Sequence, residues 1–392
     1  MTSPDSPVRA GIIGFGWMGQ VHARAYRRLA QHYPDLPAPE LVAVAEINGG
    51  ERIRRLCAGY GVDTVLDDWR ALLDRDDLDL VSVTTPNFLH AEVGAAVAKS
   101  GRHLWLEKPA GRDLAETTAI ADAVTAAGVR SAVGFNYRYA PAVEAARELI
   151  KDGRLGRVTM VSIRMLADYS ADPGGAFSWR FDRSLSGSGV LGDLVCHGVD
   201  LGRYLVGEIE SVIADDAIFI TERPEATGAT SHFAQGSGPS RPVQNEDYLS
   251  ALLRFAGGAR GVLESCRTSV GDQCRYGFEV RGTEGAVAWD FRRMGELQVC
   301  LDGGRAGAAY RTVLVGPEAG DLGAYQPAPG IALSYDDLKV IELHRLITAI
   351  RAGSAAPNGT PAGATMIDAV AAARVGAALS RSIAQKSWVD VG

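Results

Sequence analysis

"VRAGIIGFGWMGQVHARAY", residues 8–26, sets Gly14, Gly16 and Gly19 between a β-forming run and a helical stretch. A lone G-x-G-x-x-G also occurs in ordinary tight turns. Its meaning rests on three conditions: a strand before it, a helix after it, and an acid further on. "AGIIG" supplies the strand, Trp17 to about His32 the helix, and Glu46 at the end of "ELVAVAE" the acid. The insertion "QHYPDLPAPE" puts that acid beyond the usual spacing of ~20 residues. In this setting Gly14 permits the tight turn, Gly16 lets backbone approach a pyrophosphate, and Gly19 lets helix and strand pack closely. The helix N-terminus presents free N–H groups and a positive dipole end to the phosphates. Glu46 is placed to accept hydrogen bonds from ribose hydroxyls and to repel a 2′-phosphate. NAD is therefore favoured over NADP, with Arg52 close enough in sequence to soften the preference.

Outward from this loop the pattern repeats. "ELVAVAE" leads to a helix around Arg52–Tyr60, "LDLVSVTT" to one from Asn87 to Ser100, and "RHLWLEK" to one from Leu114 to Ala127, before "VRSAVGFN" closes the series. Strands alternating with helices predict a doubly wound parallel sheet of the Rossmann type, buried on both faces. After about residue 150 the rhythm changes. "GRVTMVSIRML", "IESVIADDAIFI", "DYLSALLRFAGG", "ARGVLESCRTS", "CRYGFEVRGTEGAVAWD" and "ELQVCLDGG" follow one another across glycine-containing turns. They predict a mostly antiparallel sheet in an α+β domain. The expected division is 1–135 for nucleotide binding and 136–392 for substrate binding and oligomerisation. Residues 222–244 read as a long surface loop, and two helices near 334–352 and 363–384 finish the chain.

Composition narrows the function. With 392 residues, two domains are the natural expectation. A net charge of −7 argues against a nucleic-acid partner. No apolar run approaches a membrane span, and the start "MTSPDSPVRA" does not read as a signal peptide. Cys57, Cys196, Cys266, Cys274 and Cys300 are scattered without metal-type spacing, which suits free thiols in a reducing cytoplasm and no metal. "NGT" at 358–360 matches a glycosylation sequon but reads as a turn.

Two stretches carry groups suited to moving a hydroxyl proton. In "LWLEKPAG", Lys108 follows a strand at the carboxyl edge of the parallel sheet, where ligands of such sheets sit. A lysine beside a cofactor can relay protons near neutrality, and Glu107 is placed to pair with it or to bind elsewhere. Taken alone, such a lysine is more often a solvated surface residue. In "SGVLGDLVCHGVDL", Asp193, His197 and Asp200 share one face of a probable helix. A carboxylate one turn from an imidazole can orient it and hold its charge. A capping Asp193 with a satisfied, buried His197 is the equally weighted alternative. Metal binding lacks a third ligand at matching spacing.

"GFGWMGQVH", "TTPNFLHAE", "EKPAG", "GFNYRYAP" and "GSGVLGDLVCHGVDL" occur in one order, and together the chain resembles the Gfo/Idh/MocA oxidoreductases. "GGAFSWRF" and "GIALSYDDLKVIELHRLI" are most similar to the sugar and inositol dehydrogenase branch. The resemblance implies that Lys108 contacts both the substrate hydroxyl and the nicotinamide ribose. It makes His197 the general base and Asp193 a partner of a neighbouring hydroxyl or of His197. It places Phe15, Trp17 and Met18 in the dinucleotide loop and Thr84, Thr85, Pro86, Asn87 and His90 in the loop beside the riboses. Glu107 and Asn136 count with the cofactor contacts. Asn136, Tyr137, Trp179 and Arg180 count with the substrate contacts. Tyr137 stands where inositol dehydrogenases tend to have arginine, and Cys196 reads as a small core residue.

The expectation is an NAD-dependent oxidation of a secondary hydroxyl on a sugar, glycoside or cyclitol, in a cytoplasmic homodimer or homotetramer. The alternatives are a redox-neutral glycosidase or lyase that uses NAD transiently, a noncatalytic NAD-binding sugar sensor, and a reductase running the other way.

Overall fold

Short, largely buried apolar runs build the first sheet. β1 (Arg9–Ile13), β2 (Glu40–Ala45), β3 (Val65–Leu66), β4 (Leu80–Val83), β5 (His103–Leu106) and β6 (Ser131–Val133) pair in the order β3-β2-β1-β4-β5-β6, all parallel. They alternate with α1 (Trp17–His32), α2 (Glu51–Gly59), α3 (Trp69–Leu73), α4 (Asn87–Lys99) and α5 (Leu114–Ala127). β4 is buried at every position, as a strand covered on both faces must be. The strand order reverses between β1 and β4, so the loops after these two strands border the switch point where ligands of open α/β sheets bind. The short pair β3 and α3 was not among the predicted elements. This computed structural model describes residues 6–226, 234–353 and 363–392. The sequon at 358–360 and part of the predicted 222–244 loop lie outside the described residues.

The second sheet has nine strands. After α6 (Pro141–Lys151) come β7 (Val158–Leu166), α7 (Arg183–Ser186), α8 (Cys196–Val206), β8 (Ile209–Ala217), β9 (Glu222–Pro224), β10 (Ser240–Pro242), β11 (Tyr248–Phe255), β12 (Arg260–Cys266), β13 (Arg275–Gly282), β14 (Ala286–Asp290), β15 (Glu296–Cys300) and β16 (Arg311–Leu314). α9 (Tyr335–Arg351), α10 (Met366–Gln385) and β17 (Val389–Asp390) end the chain. The sheet order is β16-β15-β14-β13-β7-β12-β11-β8-β17, and β7 with β12 is its one parallel pair. β9 and β10 form a separate antiparallel ribbon inside the segment predicted as loop. On the sheet's outward face Leu252 and Val262 stand directly opposite each other, 50% and 46% exposed.

The chain divides into two compact units, one of Met1–Gly111, Ala115–Asn136 and Leu333–Val370, the other of Arg112–Leu114, Tyr137–Ala332 and Ala371–Gly392. The expected division, 1–135 and 136–392, has no place for the return of Leu333–Val370 to the first unit. α9 is the physical reason for it. A capping box of Ser334 and Asp337 starts the helix. Arg24 and Arg28 of α1 then pair with Asp336 and Asp337. Deeper in, Lys339 lies 2.5 Å from Glu107 and 3.0 Å from Glu342, while Trp105 donates its indole N–H to Glu342 at 2.5 Å. His22 completes the group, 3.0 Å from Glu107 and stacked on Trp105 with centroids 3.6 Å apart. Burial keeps His22 neutral, its pKa lowered to about 4. Among the described residues, no helix is long and apolar enough to cross a membrane.

Burial raises the Glu342 carboxyl to about 7 from an ordinary 4.5, although Lys339 and Trp105 oppose the shift. Above pH 4.5 the unfolded chain ionises this group while the folded chain still holds its proton, so its contribution to stability falls between about pH 4.5 and 7. Glu342→Gln abolishes that dependence. In thermal unfolding across pH 5–8, the variant's Tm should rise relative to the unsubstituted protein as pH increases. A constant difference would contradict a protonated Glu342.

Candidate functional site

In the first unit the glycine loop is held by backbone contacts. Gly14 has φ +89° and donates its N–H to Ala45 at 2.8 Å. Its carbonyl accepts the Thr84 hydroxyl at 2.6 Å, which ties the loops after β1 and β4 together. A Cβ on Gly19 would lie 2.3 Å from the Gly14 carbonyl oxygen, so close packing excludes any side chain there. Gly16, by contrast, faces open space and starts α1 without a side-chain cap. A cradle with uncapped helix N–H groups fits a pyrophosphate.

Glu46 is half-buried and accepts the Phe15 N–H at 2.6 Å, which aligns the carboxylate with the loop. The Phe15 ring itself is core, set edge-on to Tyr60 with centroids 5.8 Å apart, so its backbone rather than its ring can serve a nucleotide. Trp17 is 63% exposed and stacks on Tyr335, whose hydroxyl donates to the Met18 sulfur at 3.7 Å. Asn136 is fully buried beside the Tyr335 hydroxyl, and among the described residues neither its amide nitrogen nor its amide oxygen has a partner at good hydrogen-bond geometry. Burying such a group unpaired costs roughly 1–3 kcal/mol, so the orphaned amide fits a cofactor that pairs with it.

His90 decides the shape of the neighbouring loops. It is buried near the start of α4, which Pro86 caps and Asn87 begins. Its two ring nitrogens lie 2.8 Å from the carbonyls of Thr85 and Pro109, linking the β4 loop to the turn that bears Lys108. Burial lowers its pKa. The role implied for His90 as a ribose contact gives way to this position: the ring is buried between the two carbonyls, and in its neutral form it donates its one N–H to one of them. Glu107 likewise does not serve as a surface partner. Its carboxylate is committed to Lys339 and His22, and its other oxygen accepts the backbone N–H of Lys108 at 3.3 Å. The Lys108–Pro109 peptide is cis.

In the second unit Asp193 and His197 do not sit on one continuous α-helix. Leu191–Val195 is a π-helical turn, and α8 begins at Cys196. Such turns recur at functional sites because they re-aim side chains. Asp193 accepts the Tyr169 hydroxyl, while the buried His197 lies against the Tyr137 ring at 4.6 Å. Asp200 forms a buried two-pronged pair with Arg138, 3.0 Å on one arm, and so is a structural ion pair. Tyr137, expected among substrate contacts, packs with Tyr276 and Phe291 as well as His197 and is mostly core. Cys196 donates to the Gly192 carbonyl at 3.0 Å.

Arg180 lies over Trp179, 4.4 Å from the ring centroid. Burial lowers its pKa, with the charges of Asp193 and Tyr169 opposing, which sets all three in one electrostatic neighbourhood. Glu246, buried, accepts the N–H groups of Gly189 and Leu191 at 2.7 and 3.0 Å and so fixes the entry to the π turn. Asn245 donates to the Arg180 carbonyl at 2.9 Å and to the Ser186 hydroxyl at 2.6 Å. Tyr169, Asn245 and Glu246 were missed among the candidates, because one loop tyrosine and one Asn-Glu pair carry no spacing signal. His22, Lys339 and Glu342 were missed too. The last two had a visible sign: charged residues inside "LKVIEL", an otherwise apolar run.

Comparisons with known proteins cover both units. A profile described as "Oxidoreductase family, NAD-binding Rossmann fold" matches residues 8–135, and one described as "GFO/IDH/MocA C-terminal domain" matches residues 143–288. Levoglucosan dehydrogenase of Pseudarthrobacter phenanthrenivorans is 37% identical, over 98% of each chain. Inositol 2-dehydrogenase of Rhizobium meliloti is 28% identical, over 98% of this chain and 99% of its own. A solved levoglucosan dehydrogenase in complex with NADH and levoglucosan superimposes with a TM-score of 0.90 at 35% identity, over 99% of this chain and 100% of its own.

The packing at Gly19 makes a direct test of the cradle. Gly19→Ala should weaken NADH binding at least about tenfold, because the Gly14 turn must move to admit the methyl group. Fluorescence titration checks the value, with circular dichroism to confirm the fold. An unaltered Kd would contradict the assignment of the loop.

Proposed function

This chain is a member of the GFO/IDH/MocA oxidoreductase family, and from that premise we propose that it oxidises one secondary hydroxyl of a compact polyhydroxylated ring, an anhydrosugar or its sugar and cyclitol relatives, with NAD. The observation that carries the substrate class is the full-length likeness to a protein solved with NADH and levoglucosan. NAD, when bound, accepts the hydride from the carbinol carbon. The chain's own residues supply positioning and charge. His197 takes the hydroxyl proton, and Lys108 stabilises the negative charge that develops on the oxygen. Asp193, kept an acceptor by the Tyr169 hydroxyl, takes a hydrogen bond from a neighbouring hydroxyl. Trp179 and Arg180 border the ring.

In this reading residues 1–135 and the returning α9 carry the nucleotide, and the second unit carries the substrate. Glu46 selects NAD by repelling a 2′-phosphate. The facing pair Leu252 and Val262 supports self-association as a homodimer or homotetramer through the outer sheet face, and the free thiols suit a cytoplasmic location.

Lys108→Ala and His197→Ala should each remove most of kcat while leaving NADH binding within about threefold. Stopped assays over levoglucosan, inositols, monosaccharides and glycosides, with mass analysis of products, check this. Unchanged turnover in both variants would overturn the assignment, and turnover without net NADH would replace it by the redox-neutral alternative. Tyr169→Phe removes one hydrogen bond to a charged acceptor, a loss of about 1.5–3 kcal/mol. Steady-state kcat/KM should fall roughly 10- to 100-fold, with the NADH Kd unchanged. A kcat/KM within twofold of the unsubstituted protein would exclude a role for this hydrogen bond.

A further inference from the structure

A buried cation stands directly behind the turn that bears Lys108. Lys339 is fully buried, and its ammonium lies 2.5 Å from one oxygen of Glu107. The other oxygen of Glu107 takes the backbone N–H of Lys108. The titratable groups facing this pair are His22 from α1, His90 from α4, and Tyr335 and Glu342 from α9, while Lys108 is joined to it through its backbone N–H. Burial keeps His22 and Tyr335 uncharged. Glu342 has its Oε1 engaged by Lys339 and Trp105, but its Oε2 is buried with no partner among the described residues, an arrangement that favours a proton there. While Glu342 keeps its proton, below about pH 7, one cation and one anion remain where water does not screen them. The buried His90 holds the same turn from the other side through the Pro109 carbonyl.

We propose that Lys339 is a positioning residue for Lys108: it cancels the Glu107 carboxylate from inside the core, so that the Glu107 charge does not bias the proton of the half-buried lysine on the turn. The inference rests on the reading of Lys108 as the lysine at the reacting oxygen. It extends that reading to a residue on a distant helix that touches neither cofactor nor substrate.

The test does not depend on turnover. The chain has only five lysines, so the Lys108 signal of protein labelled with ε-13C lysine can be assigned by its loss in Lys108→Arg. All variants are built on Glu342→Gln, which keeps that neighbour uncharged through the range in which lysines titrate; on that background Lys339→Met leaves the Glu107 charge uncancelled, and the Lys108 titration midpoint should rise by about one pH unit. Glu107→Gln leaves Lys339 uncancelled, and the midpoint should fall by about as much. The double variant should return it to the original value. If one single variant fails to fold, as judged by circular dichroism, the other single variant and the double variant decide. Midpoints that stay fixed, or that move in the same direction in both single variants, overturn the proposal. Full turnover of levoglucosan by Lys108→Met would instead overturn the catalytic reading, leaving the NMR result to stand alone.

Discussion

One carboxylate organises the first unit. Glu107 directly follows β5 in a dry position where an isolated charge would cost several kcal/mol. Its partners come from two other segments, Lys339 from α9 and His22 from α1. Each of these groups needs the others, since Lys339 without Glu107 would have Glu342 alone to hold its buried charge. The network therefore locks α9 to the nucleotide sheet more firmly than the half-exposed pairs of Arg24 and Arg28 can. It also sets the conformation of the turn that follows, so Lys108 is positioned by the core rather than by a free loop. His90 reinforces the turn from the other side through the Pro109 carbonyl.

The second unit places its functional side chains by a related device. Arg138 with Asp200 and Arg267 with Asp247 are buried ion pairs that hold the helix and the sheet strands in place. Glu246 satisfies the free N–H groups where the π turn begins. The turn then sends Asp193 toward Tyr169 while α8 carries His197 to Tyr137 and Asp200 to Arg138. Three residues that a regular helix would align on one face find three different partners. Asp193 stays hydrogen-bonded as an acceptor, which suits a group that reads a hydroxyl.

These arrangements divide the chemistry sensibly. Hydride transfer belongs to the nicotinamide, so the chain needs only a proton acceptor, a cation near the developing oxyanion, and donors and acceptors that fix the ring. Each proposed member of that set is held by a buried neighbour: Lys108 through Glu107, Asp193 through Tyr169, and His197 against Tyr137. Rigid support of this kind limits the reorganisation that the reaction must pay for.

Local pattern alone was enough for the parallel sheet, the glycine cradle, the acid after β2, and the change to antiparallel strands near residue 150, because strand and helix periods and backbone requirements are written in short runs of residues. The ordered motifs brought Lys108, Asp193 and His197 forward for the same reason. The return of α9 to the first unit, the burial of Glu107, the π turn at Leu191–Val195, and the partners of His90, Tyr169 and Asp200 were not readable that way. Each depends on which charges meet across segments tens to hundreds of residues apart. Periodicity shows that Lys339 and Glu342 are surrounded by apolar residues; only the packed structure decides that the carboxylate waiting for that ammonium is Glu107, because a buried charge persists only where its counter-charge is brought to it.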